Sequence, residues 1–158
     1  PHRPMHIELD DLSRPAVHEL LREHLANMHD LTPAERVFAP DLSKLRQPDI
    51  TFWTVWDGAL LLGCGALKEL TPRHGEVKSM HTAEAARRQG IAGAMLRHII
   101  ASARSQGLER LSLETGSFDY FRPAVALYRA HGFVDCAPFG SYRPDPNSVF
   151  LTLDLSRA

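Results

Sequence analysis

Residues 76–94 constrain the fold more than any other part of this sequence. They read as a strand (76–82), a short turn rich in small and cationic residues, and the start of an amphipathic helix with the apolar stripe Ile91, Met95, Leu96, Ile99, Ile100 and Ala103. A helix N-terminus carries unpaired N–H groups and the positive end of the macrodipole, and small residues let an anion approach the backbone. The segment therefore predicts a phosphate seat where the helix begins.

Two common phosphate-binding patterns are absent from this segment. A Walker A loop needs Lys-Ser or Lys-Thr after its second glycine, and a dinucleotide fingerprint needs Gly-x-Gly-x-x-Gly. The sequence instead has Arg87-x-x-Gly90-x-Ala92, which fits Arg/Gln-x-x-Gly-x-Gly/Ala. This short pattern occurs often by chance and by itself more often marks an ordinary capped surface helix, so the interpretation needs a second signature.

A second signature lies downstream at a compatible distance, in Ala124-x-x-Leu127-Tyr128-x-x-x-Gly132-Phe133. With both motifs in order, the chain resembles the small bacterial-type members of the GNAT superfamily of N-acetyltransferases. The resemblance runs from about residue 5 to 155 and implies one acetyltransferase domain over that range. Residues 1–4 are expected to be a tag remnant or a disordered N-terminus.

Length and composition agree with one globular domain. The chain has 158 residues, 44% of them hydrophobic and 23% charged. With 18 Lys and Arg against 19 Asp and Glu, the formal net charge is −1, which does not favour nucleic-acid binding. The two cysteines form no metal-binding or redox motif, and no apolar run has the length of a membrane span. We expect a cytoplasmic protein without metal, nucleic-acid or membrane partners.

The order of predicted elements indicates a mixed α/β sheet. A strand (5–9), a helix with the stripe Val17, Leu20, Leu21, Leu25 and Met28, and a short helix (41–46) come first. Strands 51–56 and 59–67, joined at Asp57-Gly58, precede the phosphate-seat segment. A strand (108–114), a helix from Pro123, and strands 133–136 and 149–155 follow. The resemblance implies the GNAT acyl-CoA N-acyltransferase fold, an α/β fold whose mixed central sheet of about seven strands is flanked by about four helices and splayed at its central strands.

The resemblance also implies where acetyl-coenzyme A, the cosubstrate, binds. The backbone of Met80, His81 and Thr82 would lie along the pantetheine arm, and the Met80 N–H would polarise the thioester carbonyl. The pyrophosphate would meet the turn and helix start. The final contacts would come from the next helix, where Phe121 stands in place of the asparagine of many members. The residues expected at the pyrophosphate are Arg87, Arg88, Gln89, Gly90, Ile91, Ala92, Gly93 and Ala94. Those expected to make the final contacts are Phe121, Ala124 and Tyr128.

Two residues are candidates for proton transfer. Tyr128 falls where the superfamily carries a tyrosine that protonates the leaving thiolate, although a core aromatic residue is the alternative reading. Glu76 lies eleven positions before Arg87, a spacing found in the histone-acetylating branch, and could accept the amine proton. Glu76 could instead pair with Lys78, which shares its strand face, with Ser79 and His81 on the opposite face as rival bases.

The acceptor is constrained least by the sequence. Met28 and His29, Glu114 at the end of a strand, and Tyr142 and Arg143 in the long loop 138–147 are candidate substrate contacts, with plain packing or solvent exposure as alternatives. The leading hypothesis is direct acetyl transfer in a ternary complex to a small-molecule amine or amino-acid-like acceptor. Protein lysines or N-terminal amines are the runner-up acceptors. A non-catalytic acyl-CoA-binding regulatory module is the alternative of a different class, and a homodimer is left open.

Overall fold

The computed structural model describes residues 5–27 and 34–156. Its helices and strands, in chain order within each type, are α1 (Pro15–Asn27), α2 (Ala34–Leu45), α3 (Ile91–Ser105) and α4 (Arg122–Ala130), and β1 (His6–Leu9), β2 (Ile50–Asp57), β3 (Leu60–Thr71), β4 (His74–Thr82), β5 (Arg110–Gly116), β6 (Val134–Asp135) and β7 (Ser148–Asp154). Short 3-10 turns, Glu84–Ala86 and Asp119–Phe121, precede α3 and α4.

The described strands form one seven-stranded sheet in the order β1-β2-β3-β4-β5-β7-β6. Strands β4 and β5 run parallel, whereas the other neighbouring pairs are antiparallel. This parallel pair needs a crossover, which α3 provides. The predicted mixed α/β sheet of about seven strands with four helices is confirmed. Within the described ranges, no helix is long and apolar enough to span a membrane.

Each face of the sheet has its own hydrophobic core. On one face, the stripe of α3 packs with Val55, Val77 and Leu111 of the strands and with Tyr128 and Phe133. On the other face, α1 and α2 pack against a different set of strand residues, Phe52, Trp56, Cys64 and Ala66. The two-residue alternation of the strands separates the sets. The sheet is therefore the middle layer between two helical layers.

Helix α2 is longer than the sequence predicts. The prediction of a short helix at 41–46 is wrong, because α2 begins at Ala34 and continues through Pro40. Proline normally interrupts a helix by removing a hydrogen bond and crowding the preceding turn. Here Phe38, Leu42 and Leu45 form an i, i+4, i+7 stripe that is buried against the sheet. This packing favours one continuous helix despite the proline.

Strand β4 contains a bulge that begins immediately after Lys78. Between the pairs Ala66↔Lys78 and Cys64↔His81, two residues of β4 face a single residue of β3. Ser79 lies in this bulge with φ of 55°, a left-handed conformation that is uncommon for residues other than glycine. A bulge of this kind bends the strand and changes which side chains reach each face.

The bulge returns His81 to the face that carries Glu76 and Lys78. His81 contacts Glu23 of α1, with 3.0 Å between Nε2 and Oε1. The expectation that His81 lies on the face opposite Glu76 is therefore wrong. Strict two-residue alternation assigns His81 to the wrong face, because the extra residue in the bulge reverses the face on which every later side chain lies.

Strands β4 and β5 separate after a short paired region. Their pairing is limited to His74↔Arg110, Gly75↔Leu111 and Glu76↔Ser112, although both strands continue further. Residues 77–82 of β4 and 113–116 of β5 therefore border a gap in the sheet. This is the splay that the resemblance implies, and it opens at Glu76.

Candidate active site

Two turns meet at the open end of the gap. Because β4 and β5 are parallel, their carboxyl ends lie at the same edge of the sheet, where α/β proteins commonly bind ligands. The turn after β4 leads into α3, and the turn after β5 leads into α4. Arg87 of the first turn donates a hydrogen bond to the Tyr120 hydroxyl of the second, at 3.0 Å. The contact joins the two turns at the open end of the gap.

The N-terminus of α3 is open to an anion. Gly90 immediately precedes the helix with φ of 79°, and no side chain caps the helix end. The first helical hydrogen bond joins the Ala94 N–H to the Gly90 carbonyl, so the N–H groups of residues 91–93 come before it. A β-carbon built on Gly90 would meet no protein atom within 4 Å. The residues present therefore fit the predicted phosphate seat.

Cationic and polar side chains surround this seat. Arg87, Arg88 and Gln89 are exposed in the turn that leads to Gly90. Arg88 has φ of 66°, which is unusual for a residue with a β-carbon. Tyr120, whose hydroxyl accepts the hydrogen bond from the Arg87 guanidinium, is not among the predicted site residues. The aromatic run Phe118-Asp-Tyr-Phe121 was the available signal, because such residues are unusual in an exposed turn.

Met80, His81 and Thr82 lie on β4 beyond its last pair with β5. The Met80 side chain packs in the α3 core, and His81 turns towards α1. The side chains of Met80 and His81 thus lie on opposite faces of the sheet. On the side of the gap, this part of β4 therefore presents its backbone.

Tyr128 lies on the buried face of α4. Its side chain packs edge-on against Phe133, with 5.8 Å between ring centroids, and is only 6% exposed. Burial raises the pKa of Tyr128, so the phenol stays protonated at neutral pH. This environment is compatible both with a proton donor and with the core-aromatic alternative. Ala124 is partly buried against the same core, and the Phe121 ring lies against Gly116.

Glu76 occupies the fork where β4 and β5 part. It is only 3% exposed, and its Oε2 atom accepts a hydrogen bond from the Tyr142 hydroxyl at 2.6 Å. Lys78 Nζ lies 3.5 Å from the same oxygen, so the alternative pairing with Lys78 is present. Burial, followed by the hydrogen bond to Glu76, raises the pKa of Tyr142, which keeps this hydroxyl a donor. The fork therefore holds a carboxylate, an ammonium and a phenol together.

The remaining acceptor candidates differ in position. Glu114 accepts a hydrogen bond from the Ser148 hydroxyl at 2.7 Å, so one of its oxygens is engaged. Tyr142 reaches the fork, whereas Arg143 beside it is exposed. Met28 and His29 lie outside the described residues.

Asp41 of α2 is a polar residue near the fork that the sequence analysis missed. Its Oδ2 atom is buried and has no hydrogen-bond partner in the described part of the chain. Burial raises the pKa of Asp41, and the positive charges of Lys78 and then Lys44 oppose this shift. No sequence pattern links Asp41 to β4, because the approach depends on how α2 crosses the sheet.

Comparison with known proteins is consistent with this geometry. The family model described as the acetyltransferase (GNAT) family matches residues 14–133. A Bacillus subtilis protein named uncharacterised N-acetyltransferase YsnE is 53% identical over 151 residues, covering 96% of this chain and 100% of that protein. An IAA acetyltransferase of Azospirillum brasilense is 41% identical over 141 residues, covering 89% of this chain and 91% of its own.

A solved structure supports the fold. The crystal structure of a GNAT family acetyltransferase from Elizabethkingia anophelis with acetyl-CoA bound superposes with a TM-score of 0.70 at 18% identity, covering 95% of this chain and 97% of that one. The predicted acyl-CoA N-acyltransferase fold is confirmed.

Proposed function

Because the chain belongs to the acetyltransferase (GNAT) family and is an acetyl-coenzyme A-dependent N-acetyltransferase, we propose that it acetylates a primary amine of a small-molecule or amino-acid-like acceptor. Transfer would be direct, within a ternary complex. The observation that carries this proposal is the Tyr142–Glu76 hydrogen bond at the fork of the splayed strands. The regulatory-module alternative is not retained.

The coenzyme would bind across the gap and the turn. Its pyrophosphate fits the uncapped α3 N-terminus around Gly90, with Arg87 and Arg88 supplying positive charge. The pantetheine arm fits along the unpaired backbone of Met80, His81 and Thr82, as a strand-like addition to the sheet edge. When bound, acetyl-coenzyme A supplies the activated acetyl group. The remaining contacts of this proposal are Gln89, Ile91, Ala92, Gly93, Ala94, Phe121 and Ala124.

Glu76 and Tyr128 would divide the proton transfers between them. Glu76 would accept the proton of the acceptor amine, directly or through one water, because its carboxylate sits where the gap opens. Tyr128 would donate its phenolic proton to the departing thiolate, and its raised pKa keeps that proton in place beforehand. Proton transfer by positioned groups of this kind contributes about 10²–10⁴-fold to rate.

The position of the loop after β6 favours a small-molecule acceptor over a protein acceptor. The loop brings Tyr142 across the sheet to Glu76, and Tyr142 packs between Phe139 and Phe150. This aromatic group lies beside Glu76, which is only 3% exposed, while about one third of the Lys78 side chain remains exposed. Glu114, Arg143, Met28 and His29 stay proposed acceptor contacts. A cytoplasmic location is part of the proposal, which the free thiols of Cys64 and Cys136 support.

A thiol-release assay with acetyl-coenzyme A should identify the acceptor class. Small amines and amino acids should release coenzyme A at rates well above the acceptor-free background, because the proposed base Glu76 is only 3% exposed, which favours a compact acceptor. Mass spectrometry should show one added acetyl group on the amine. Activity confined to folded proteins or long peptides would contradict the small-acceptor proposal and favour the runner-up.

Replacing Gly90 with valine should abolish coenzyme A binding, because the new side chain would project into the open phosphate seat. Gly107→Val is the matched control, since Gly107 also has positive φ (82°) and open space around its β-carbon, but lies at the other end of α3. Both variants should lose a similar amount of stability, about 1–2 kcal/mol. Calorimetric affinity that is equal in the two variants would refute the seat.

Tyr128→Phe should lower kcat by about 10²-fold or more while leaving the KM for acetyl-coenzyme A within a factor of about two. The ring and its contact with Phe133 remain, so thermal unfolding should change little. Steady-state kinetics together with calorimetric coenzyme affinity measure the two effects separately. Turnover equal to that of the wild type would leave Tyr128 as a core aromatic.

Glu76→Gln should reduce kcat/KM most strongly towards low pH. At high pH the acceptor amine increasingly loses its proton to solvent, so the carboxylate matters less. The exposed Glu69 of β3 provides the control Glu69→Gln, which should leave the pH–rate profile unchanged. An equal profile for Glu76→Gln and the wild type would transfer the base role to another group.

A further inference from the structure

One carboxylate oxygen joins three segments beside the proposed coenzyme site. Glu23 Oε1, on α1, accepts a hydrogen bond from His81 Nε2 at 3.0 Å and another from the Glu84 backbone N–H at 3.2 Å. His81 is near the end of β4, and Glu84 begins the 3-10 turn that leads to Gly90. Helix α1 is thus bonded to the strand and to the turn that lead to the phosphate seat.

The contacts around His81 assign its protons. Burial lowers the pKa of His81 against the opposing effect of Glu23, and burial with the nearby His81 lowers the pKa of His24 to about 3. Both rings are therefore neutral at pH 7. The carboxylate only accepts hydrogen bonds, so His81 Nε2 carries the proton and its Nδ1 is a lone pair. His24 Nδ1, 3.3 Å away, must then donate to that lone pair.

The hydrogen bonds to Glu23 lie where the turn after β4 leaves the sheet. The Ala83 N–H donates a backbone hydrogen bond to the Leu62 carbonyl of β3 at 2.8 Å, and Ala86 is buried. From Arg87 to Gly90 the chain is exposed. Between these points, Glu23 is the side chain that receives the Glu84 N–H, so it helps to set the direction in which the turn approaches α3.

We propose that Glu23 is a positioning residue for coenzyme binding. Through Glu84 it holds the turn in the conformation that presents Arg87 and the α3 amides, and through His81 it holds the end of β4. Since coupling between binding and conformation is reciprocal, bound coenzyme would in turn hold α1 against β4. This inference rests on the proposed coenzyme site.

Calorimetric titration of coenzyme A into Glu23 variants tests the inference. Glu23→Ala should weaken binding about tenfold, because the Glu84 and His81 donors lose a charged acceptor. Glu23→Gln should recover most of the affinity, since one amide oxygen can accept both bonds. Glu19→Ala, an exposed glutamate one turn earlier in α1, should match the wild type. Thermal unfolding of each variant is measured alongside.

The outcomes separate this inference from the proposed function. A wild-type protein that does not bind coenzyme A would overturn both. If the wild type binds and Glu23→Ala binds equally well, only the positioning role is overturned. Equal losses in Glu23→Gln and Glu23→Ala, with matching losses of thermal stability, would also overturn it, because they would indicate general destabilisation.

Hydrogen exchange on the wild-type protein supplies a test that needs no variant. Saturating coenzyme A should increase amide protection in the last two turns of α1, around residues 20–27, as well as in residues 84–93. Protection that rises in 84–93 but not in α1 would overturn the coupling and leave the phosphate seat intact.

Discussion

Strands β4 and β5 share three residue pairs and then part, and the other parts of the site are arranged around that separation. Backbone groups released from pairing must find another partner, because unpaired polar groups in a sheet are costly when buried. The bulge at Ser79 bends β4, and α3 and α4 then leave the same edge of the sheet. A gap lined by backbone thus ends at an uncapped helix N-terminus, which suits a long ligand with an anionic end.

Burial of charge at the fork requires compensation. Glu76 is almost fully enclosed, and an isolated carboxylate there would be strongly disfavoured. Lys78 and the Tyr142 hydroxyl both approach one of its oxygens, so the charge is paired without being fully neutralised. On the same face, further along β4, the carboxylate of Glu23 accepts a hydrogen bond from His81. The polar residues of this face therefore lie close to the gap and are separated from the apolar α3 core by the sheet.

Much of this arrangement could be predicted from sequence patterns that act over short distances. The hydrophobic stripe of α3, the Asp57-Gly58 turn and the small residues from Gly90 to Ala94 predicted the element order and the phosphate seat, because helix and turn preferences depend on neighbouring residues. The predicted start of α2 was wrong, because packing of Phe38, Leu42 and Leu45 overcame the local effect of Pro40. The predicted sheet face of His81 was also wrong, because the bulge depends on the pairing register with β3.

The sequence by itself determined the alternation of helices and strands, the glycine at the start of α3 and the family resemblance, all of which follow from residues close together in the chain. Only the tertiary structure decided that Tyr142 reaches Glu76, that Tyr120 holds Arg87, and that Glu23 bonds to both His81 and Glu84. These contacts join residues 33 to 66 positions apart. Their formation depends on how the helical layers and loops pack against the sheet. Local conformational preferences of the chain do not encode this packing.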